Sequence, residues 1–534
     1  MNMKKEYKYC ILASISMVGS ILITIYTSVL TGDAIDYATV GNVEKLLRAC
    51  GIIFVGTILS NVWFVFSVWL NECFKKRVVI RLRDVFAKEL LKRPLSVFRR
   101  KEDAYYINIY SNDMDRLGTN YYEMLALEWK FLSLIAGAVI AMTVIQPGLL
   151  VISLVFALLP VLAGYLFEKG NQKKVKRSSE CSEKLQAELM QYVQGIEMLK
   201  LNSADAEVIS GKLNAVSEEN GKAKTAENMW ESVTYTTIDT ISMICQLALI
   251  GVGGFWIIQG KITAGQLVSC TMLSQYLCSG INNFLQMNIR RRASKPIKEK
   301  VFGELKGSEH ISETGKPPES ATSDEQQPCI VYDKVSFSYE NTTIMDNRSL
   351  CFEEGKSYAI VGESGRGKST MLKLLLKYVD NYSGNIYLYG KNIRDYSDEE
   401  LYSLVGMLNQ NEAMLNASIR DNITLFREIE DMTLYNEIVE KLNISELIRK
   451  AENRCIGDFG DRISGGEKQR IALARVLLRN TKILILDEPV TGLDSENKAI
   501  INNYIFGRKD VTKIVVTHDT EEEYLSKFDE VIRL

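Results

Sequence analysis

The sequence predicts two parts: an α-helical domain that crosses a membrane six times, then a soluble α/β domain built around a phosphate-binding loop. Three observations carry this. Long charge-free runs occur only before Arg290, a glycine-rich loop sits between an apolar strand and a helix, and a second apolar strand ends in two adjacent carboxylates. The chain has 534 residues, 46% hydrophobic and 24% charged, with a net charge of −2. Taken alone, those averages describe an ordinary soluble protein; the division along the chain is what they hide. Balanced charge argues against a nucleic-acid partner, which would need a basic face to neutralise phosphates. Collagenous, disordered and disulfide-rich classes are excluded by composition. Ten cysteines without a CxxC pair, and only His310 and His518, speak for reduced, buried thiols rather than a zinc site or a disulfide framework.

A helix that crosses the hydrocarbon core needs about 20 mostly apolar residues, because its backbone must satisfy itself. Such runs lie at 9–31, 49–71, 240–260 and 262–289. The longer run 131–167 is interrupted by Gln146-Pro147-Gly148, a turn signal that divides it into spans 131–145 and 149–167. Basic residues set the orientation. Lys4, Lys5 and Lys8 precede the first span, a dense cluster from Lys75 to Lys101 follows the second, and Arg290, Arg291 and Arg292 end the sixth. The turn at Pro147 is uncharged. Both termini are therefore expected in the cytoplasm. The first apolar run is too long for a secretory signal, and five more follow. The two long cytoplasmic segments, 72–130 and 168–239, keep helical periodicity and read as spans continuing beyond the bilayer. The membrane domain is thus placed at 1–302, a polar Pro/Ser-rich linker at 303–328, and the soluble domain at 329–534.

The soluble domain holds Gly362-Glu363-Ser364-Gly365-Arg366-Gly367-Lys368-Ser369-Thr370. The apolar strand Tyr358–Val361 precedes it and the helix Met371–Leu376 follows, the context the phosphate loop requires. Glycines let backbone N–H groups wrap phosphates at a helix N-terminus. Lys368 can reach the β/γ-phosphates, and the Ser369 hydroxyl can ligate Mg²⁺. A chance glycine turn of this pattern arises in roughly 2% of chains this long, and the flanking strand and helix lower that further. The strand from Lys482 delivers Asp487 and Glu488 at its end; Asp487 suits the Mg²⁺ shell and Glu488 suits polarising an attacking water. A third strand, Lys513–Thr517, ends at His518, read as a γ-phosphate contact. Ser464-Gly465-Gly466-Glu467 opens a further helix and offers hydroxyl and backbone donors to an anion.

Ser464-Gly465-Gly466-Glu467-Lys468-Gln469-Arg470, about twenty residues before Asp487-Glu488, resembles the signature motif of ATP-binding cassette (ABC) transporters. Six spans ahead of one cassette are similar to the exporter half-transporter layout, so the likeness covers almost the whole chain. It implies an α/β P-loop ATPase with a small antiparallel β subdomain, ATP and Mg²⁺ as cofactors, and further roles. Tyr339, in Val335-Ser336-Phe337-Ser338-Tyr339, resembles the aromatic that stacks on adenine. Gln410 resembles the residue that joins Mg²⁺ to the membrane interface, and Gly492-Leu493-Asp494 the loop that follows the carboxylates. Ile456-Gly457-Asp458-Phe459-Gly460 is similar to the short loop exporters carry there, with Asp458 in place of Glu. Segments around Phe98 to Leu117 and Gln194 to Lys200 resemble the two cytoplasmic loops.

The resemblance further implies a dimer with a second copy, each ATP lying between the phosphate loop of one chain and the signature of the other. No motif is degenerate, which favours two identical chains. It implies export, from a bacterial cytoplasmic membrane, of a peptide or amphiphilic small molecule. Import of a chelate and a non-pumping gate or regulator are the alternatives. Only eight residues precede the first span, so no peptide-processing domain is expected there. The end of the chain, 529–534, is expected to carry no nucleotide contacts.

Span six holds Thr271, Gln275, Ser279, Asn282 and Gln286 at spacings of four, four, three and four, which puts them on one helical face. Uncharged polar groups lose hydrogen bonds in lipid, so the stripe is expected to face protein or water. It reads either as interhelical glue or, as the resemblance favours, as the wall of a substrate cavity. Gly251, Gly253 and Gly254 read as close helix packing. The N-x-[ST] matches at Asn341, Asn347, Asn416, Asn422 and Asn443 are expected to be surface noise on the cytosolic side.

Overall fold

The computed structural model describes residues 4–101, 103–306, 328–339, 342–363, 366–410, 412–451, 455–457, 462–490 and 495–534. The chain forms two compact units: Met1–Lys88 with Ala104–Gly307, and Glu89–Asp103 with Ser308–Leu534.

The first unit is built from six long helices, α1 (Lys4–Thr39), α2 (Val43–Lys92), α3 (Glu123–Ile145), α4 (Pro147–Gln194), α5 (Ala206–Ile258) and α6 (Ala264–Ala293), followed by the shorter α7 (Lys295–Lys306). Gln146 is extended, at φ −160°, and Pro147 opens α4. A residue before proline is pushed from the helical region, and proline is at home in a first turn; the two spans therefore separate where the turn signal placed them. The helices overrun the apolar runs. α5 has 53 residues, about 80 Å at 1.5 Å per residue, so much of each segment between spans is the same helix continuing. Between α2 and α3 the chain makes a short helix, Leu95–Phe98, then a helix from Asp103 broken by π turns at Ile109–Asp113 and Gly118–Tyr122.

Among the described residues, five helices are long and apolar enough to cross a membrane. α6, expected as the sixth span, has the length but not the apolarity, because its polar stripe lowers the average. Its N-terminal end is fastened to α1. A Cβ on Gly32 would lie 2.0 Å from Ser269 Oγ, and one on Gly265 would lie 2.1 Å from Gly32 O, so only glycines let these backbones meet. Asp36 then accepts from Gly265 N (2.8 Å) and from Thr263 Oγ1 (2.6 Å), and Thr263 itself caps α6. Leu273, Leu277 and Met287 of α6 are buried, whereas Gln275, Ser279 and Gln286 are exposed and Thr271 and Asn282 half-buried. Of the three glycines read as packing positions, only Gly253 is one. A Cβ there would lie 2.2 Å from Leu267, but nothing lies within 4 Å of one on Gly251 or Gly254.

All ten cysteines are free, and five are buried. Cys50, Cys351 and Cys455 are exposed, which corrects the expectation of uniformly buried thiols. Cys351 lies on an edge strand, exposed beside the buried Phe352.

The second unit carries two sheets. β1 (Pro328–Tyr339), β2 (Thr342–Glu353), β4 (Ser383–Leu388) and β5 (Lys391–Asn392) form an antiparallel sheet in the order β2-β1-β4-β5. β3 (Ser357–Val361), β6 (Val405–Leu408), β7 (Ile483–Asp487), β8 (Thr512–Thr517) and β9 (Glu530–Arg533) form a parallel sheet in the order β6-β7-β8-β3-β9. β3 and β8 are buried along their whole length, and β7 up to Asp487. Parallel strands covered on both faces read as unbroken apolar runs, which is why these three were visible in the sequence. Their shared direction puts the residues after β3, β7 and β8 at one edge of the sheet, where ligands of open α/β sheets bind. The segment Glu89–Asp103 clusters with this unit, and its Arg100 pairs with Asp380 at 2.9 Å.

Asn422 corrects another expectation. It is fully buried, and its amide accepts from Leu415 N (2.9 Å) and donates to Leu415 O (3.0 Å) and Ser418 O (3.1 Å). It is an internal brace, not surface noise. Asn347, Asn416 and Asn443 are exposed, and Asn341 lies outside the described residues.

Candidate nucleotide site

β3 hands the chain to Gly362 and Glu363, and helix α8 (Lys368–Leu375) starts at Gly367. Gly367 is left-handed at φ +90°, and a Cβ there would lie 2.8 Å from Ile344 Cγ2; both facts demand glycine. Lys368 is buried, and its ammonium donates to Gly362 O and, at 3.1 Å, to Glu363 O. Among the described residues no carboxylate pairs with it, so its charge is available to a phosphate. Ser369, in the first turn of α8, donates from Oγ to Asp487 Oδ2 at 3.2 Å. Thr370 follows, half-buried. Arg366 turns outward to Glu363 at 3.0 Å. Ser364 and Gly365 lie outside the described residues.

Asp487 ends β7. Burial pushes its carboxyl above the usual carboxylate range, opposed by the Ser369 hydrogen bond. A hydroxyl and a desolvated carboxylate, both hard oxygen donors and already in contact, fit Mg²⁺. The next residue, Glu488, is left-handed at φ +52°, a strained conformation of the kind stored at functional sites. Its backbone is fixed at both ends, N donating to Val516 O (3.0 Å) and O accepting from Gln469 Nε2 (3.3 Å). Its carboxylate is fixed as well: Gln410 Nε2 donates to Oε2 at 2.9 Å, and His518 Nε2 lies 2.9 Å from Oε1. The Glu488 side chain is 11% exposed and that of His518 46%.

The structure thus brings Lys368, Ser369, Asp487, Glu488, Gln410 and His518 together. Gln410 and His518 both meet the Glu488 carboxylate, which stands next in sequence to Asp487 of the Ser369–Asp487 pair. Ser464 starts helix α9 (Gly465–Leu477), and its hydroxyl accepts from Glu467 N at 3.3 Å while Glu467 Oε2 accepts from Ser464 N at 2.7 Å. This reciprocal cap leaves Ser464 and Gly465 exposed and Gly466 half-buried at the helix start. Tyr339 ends β1, paired with Thr342. Asp494 and Asp458 lie outside the described residues.

Gly362, Glu363, Arg366, His518, Thr520 and Leu534 border a cleft of about 420 Å³. Leu534 N donates to Val361 O at 3.0 Å, and a Cβ on Gly362 would lie 2.8 Å from Leu534 O. The end of the chain therefore abuts the first glycine of the loop, because β9 runs parallel to β3 and ends beside it. Gln469 was missed in the sequence; a glutamine inside a helical run carries no signal of its partner.

Residues 9–281 match the family model for the ABC transporter transmembrane region, and residues 345–491 match that for the ABC transporter cassette. The chain belongs to the ABC transporters. A putative multidrug export ATP-binding/permease protein of Bacillus subtilis is 27% identical over 454 residues, covering 83% of this chain and 77% of the relative. The lactococcin-G-processing and transport ATP-binding protein of Lactococcus lactis is 25% identical over 496 residues, 88% of this chain and 67% of that one. The structure of a bacterial Atm1-family ABC exporter with ATP bound superposes with a TM-score of 0.79 at 19% identity, over 100% of this chain and 93% of the other. That likeness shows the fold. This ABC transporter is a membrane-spanning helical domain fused to an ATP-binding cassette, an ATPase coupled to transport.

Proposed function

We propose that this ABC transporter is one half of a homodimeric, ATP-driven exporter of a bacterial cytoplasmic membrane. Both termini and the cassette lie on the cytoplasmic side. The observation that carries the reading is Glu488, strained and held through both carboxylate oxygens beside the Ser369–Asp487 pair, in a chain whose other unit consists of membrane-length helices.

ATP lies on the loop 362–370, its phosphates taken by backbone N–H groups and by Lys368, with Tyr339 stacking on the base. Ser369 and Asp487 would hold Mg²⁺, which would supply charge neutralisation for the phosphates. Glu488 orients the attacking water, while Gln410 and His518 keep its carboxylate aimed. Ser464 to Glu467, with Asp494, complete the site of the opposite copy; one cassette alone supplies half of each. ATP favours the closed pair and its hydrolysis releases it, so the nucleotide acts by differential affinity for two states. The polar face of α6, Thr271, Gln275, Ser279, Asn282 and Gln286, lines the path of the substrate. Among the described residues none of the five hydrogen-bonds another helix, which supports a cavity wall over glue within one chain. A peptide or an amphiphilic small molecule suits an uncharged wall, and the names of the two relatives span those classes.

The test is accumulation in inside-out membrane vesicles. ATP-dependent uptake of candidate peptides or amphiphiles, abolished by Glu488→Gln, is the expected result. ATP hydrolysis that no candidate stimulates and that drives no uptake would favour a gate or regulator. Uptake only into right-side-out vesicles would reverse the direction.

A further inference from the structure

Between the end of β6 at Leu408 and the helix Ile419–Thr424 the described chain has no regular structure, yet Gln410 in that stretch reaches Glu488 at 2.9 Å. Something other than a strand or helix sets its place. Glu412 Oε1 accepts from Asn409 N (2.8 Å) and from Asn409 Nδ2 (3.2 Å), bracketing Gln410. The other oxygen, Oε2, accepts from Arg475 Nη1 at 3.2 Å. Arg475 belongs to α9, the helix that Ser464 caps, and its guanidinium donates onward. Both Nη atoms reach Ala413 O at 3.2 Å, and Nε reaches Asn422 O at 2.8 Å. The Arg475 and Glu412 side chains are 12% and 16% exposed.

A charged pair this buried is costly unless its geometry serves several hydrogen bonds at once. Here one guanidinium plane joins two points of the arm, Glu412 and Ala413, to Asn422 in the helix that follows, and Glu412 in turn holds a third point, Asn409. A lysine is a single point charge and cannot span them. Burial holds Arg475 below the ordinary guanidinium value against the pull of Glu412, in keeping with a group desolvated for a fixed purpose.

We propose that Arg475 and Glu412 are positioning residues for ATP hydrolysis: the pair ties the arm that carries Gln410 to helix α9 and so sets the reach of Gln410 to Glu488. The proposal rests on the reading that Gln410 and Glu488 together order the attacking water. It assigns work to residues that touch neither nucleotide nor water.

The test uses the full-length protein in lipid nanodiscs and compares Arg475→Lys, Glu412→Gln and Gln410→Ala, alone and combined. Arg475→Lys is expected to lower kcat for ATP about tenfold while the affinity for ATP stays within about twofold. In the Gln410→Ala background the same change is expected to cost nothing further, because residues acting through one another are not additive. Glu412→Gln keeps the shape of the arm, guards against misfolding of the arginine variant, and is expected to repeat the pattern at smaller size. An equal loss in the presence and absence of Gln410, or a loss of ATP affinity in step with kcat, would overturn the proposal in favour of a merely structural pair. An impaired Gln410→Ala protein beside an unimpaired Arg475→Lys protein would overturn the proposal alone. An unimpaired Gln410→Ala protein would overturn the reading of the water site and the proposal with it.

Discussion

His518 and Glu488 are joined across the tips of neighbouring strands, Nε2 of the histidine lying 2.9 Å from Oε1 of the carboxylate. Glu488 follows β7 and His518 follows β8, so the parallel register of the two strands sets the distance. Neither residue is in direct contact with Lys368 or Ser369 among the described hydrogen bonds. Binding and turnover are therefore separable. Glu488→Gln should leave ATP binding intact and lower steady-state phosphate release by about a hundredfold or more, the scale of a lost general base. Phosphate release near the unmodified rate would remove Glu488 from its role.

Lys368→Ala should behave in the opposite way. Its ammonium rests on the carbonyls of Gly362 and Glu363, with no ion pair among the described residues, so removing it takes charge from the phosphates and leaves the Glu488 grip untouched. A nucleotide titration should show weakened ATP affinity, by at least about tenfold on the scale of a lost charge-assisted contact. Unchanged affinity with lost turnover would place Lys368 in the chemistry instead.

Gly367→Ala tests the loop itself. The left-handed backbone and the nearby Ile344 methyl leave no room for a Cβ. The strain is about 1–3 kcal/mol, and the chain can relieve it only by moving the loop. Both ATP affinity and the melting temperature should fall. Retention of both would mean that the loop relaxes without cost.

Asp487→Asn has a sign set by burial. The folded chain holds the Asp487 proton more tightly than the unfolded chain, since desolvation raises its carboxyl. Its contribution therefore favours folding at acid pH and is lost as the pH rises through the raised value. At neutral pH the buried charge works against the nucleotide-free fold. Asp487→Asn should raise the melting temperature without nucleotide at pH 7, narrow that gain toward pH 4, and abolish the extra stabilisation that Mg²⁺ adds to ATP. A variant less stable at pH 7 without nucleotide would refute the sign.

What was legible in the sequence followed from contiguity. The phosphate loop needs its glycines, Lys368 and Ser369 in a row, and β7 needs an unbroken apolar run before Asp487, so both were visible. The apolar runs marked the spans, but not where the helices end, because a helix beyond the bilayer needs no apolar run; α2 and α5 continue for many polar residues. Contacts between distant residues stayed hidden. Gln410 and Glu488 are 78 positions apart, and Arg475 and Glu412 are 63 apart, so neither partner could be named without the fold. Asn422 was misread because a glycosylation pattern says nothing about burial. Gly251 and Gly254 were misread because a glycine run does not say which glycine meets a neighbour.

The polar face of α6 makes the last prediction. Gln275, Ser279 and Gln286 are exposed in the single chain, while Leu273, Leu277 and Met287 pack inward. The helix is held at its N-terminal end by Asp36, through Thr263 and Gly265, which fixes the rotation of this face. Thr271 spends its hydroxyl on Leu267 O in its own helix, and Ser279 receives Asn283 from the next turn; Gln275, Asn282 and Gln286 keep their polar atoms for something else. In lipid those atoms would lose hydrogen bonds; on the proposed cavity wall, water or substrate would supply them. Single cysteines at Thr271, Gln275, Ser279, Asn282 and Gln286, in a background without the native cysteines, should react with a membrane-impermeant thiol reagent, and a transported substrate should slow the reaction. The face carries no charge, so recognition is by hydrogen bonds together with contacts to Met272 and Tyr276, and added salt should leave the protection unchanged. Silence at all five positions would assign the stripe to packing between chains and leave the substrate path to be sought on another helix.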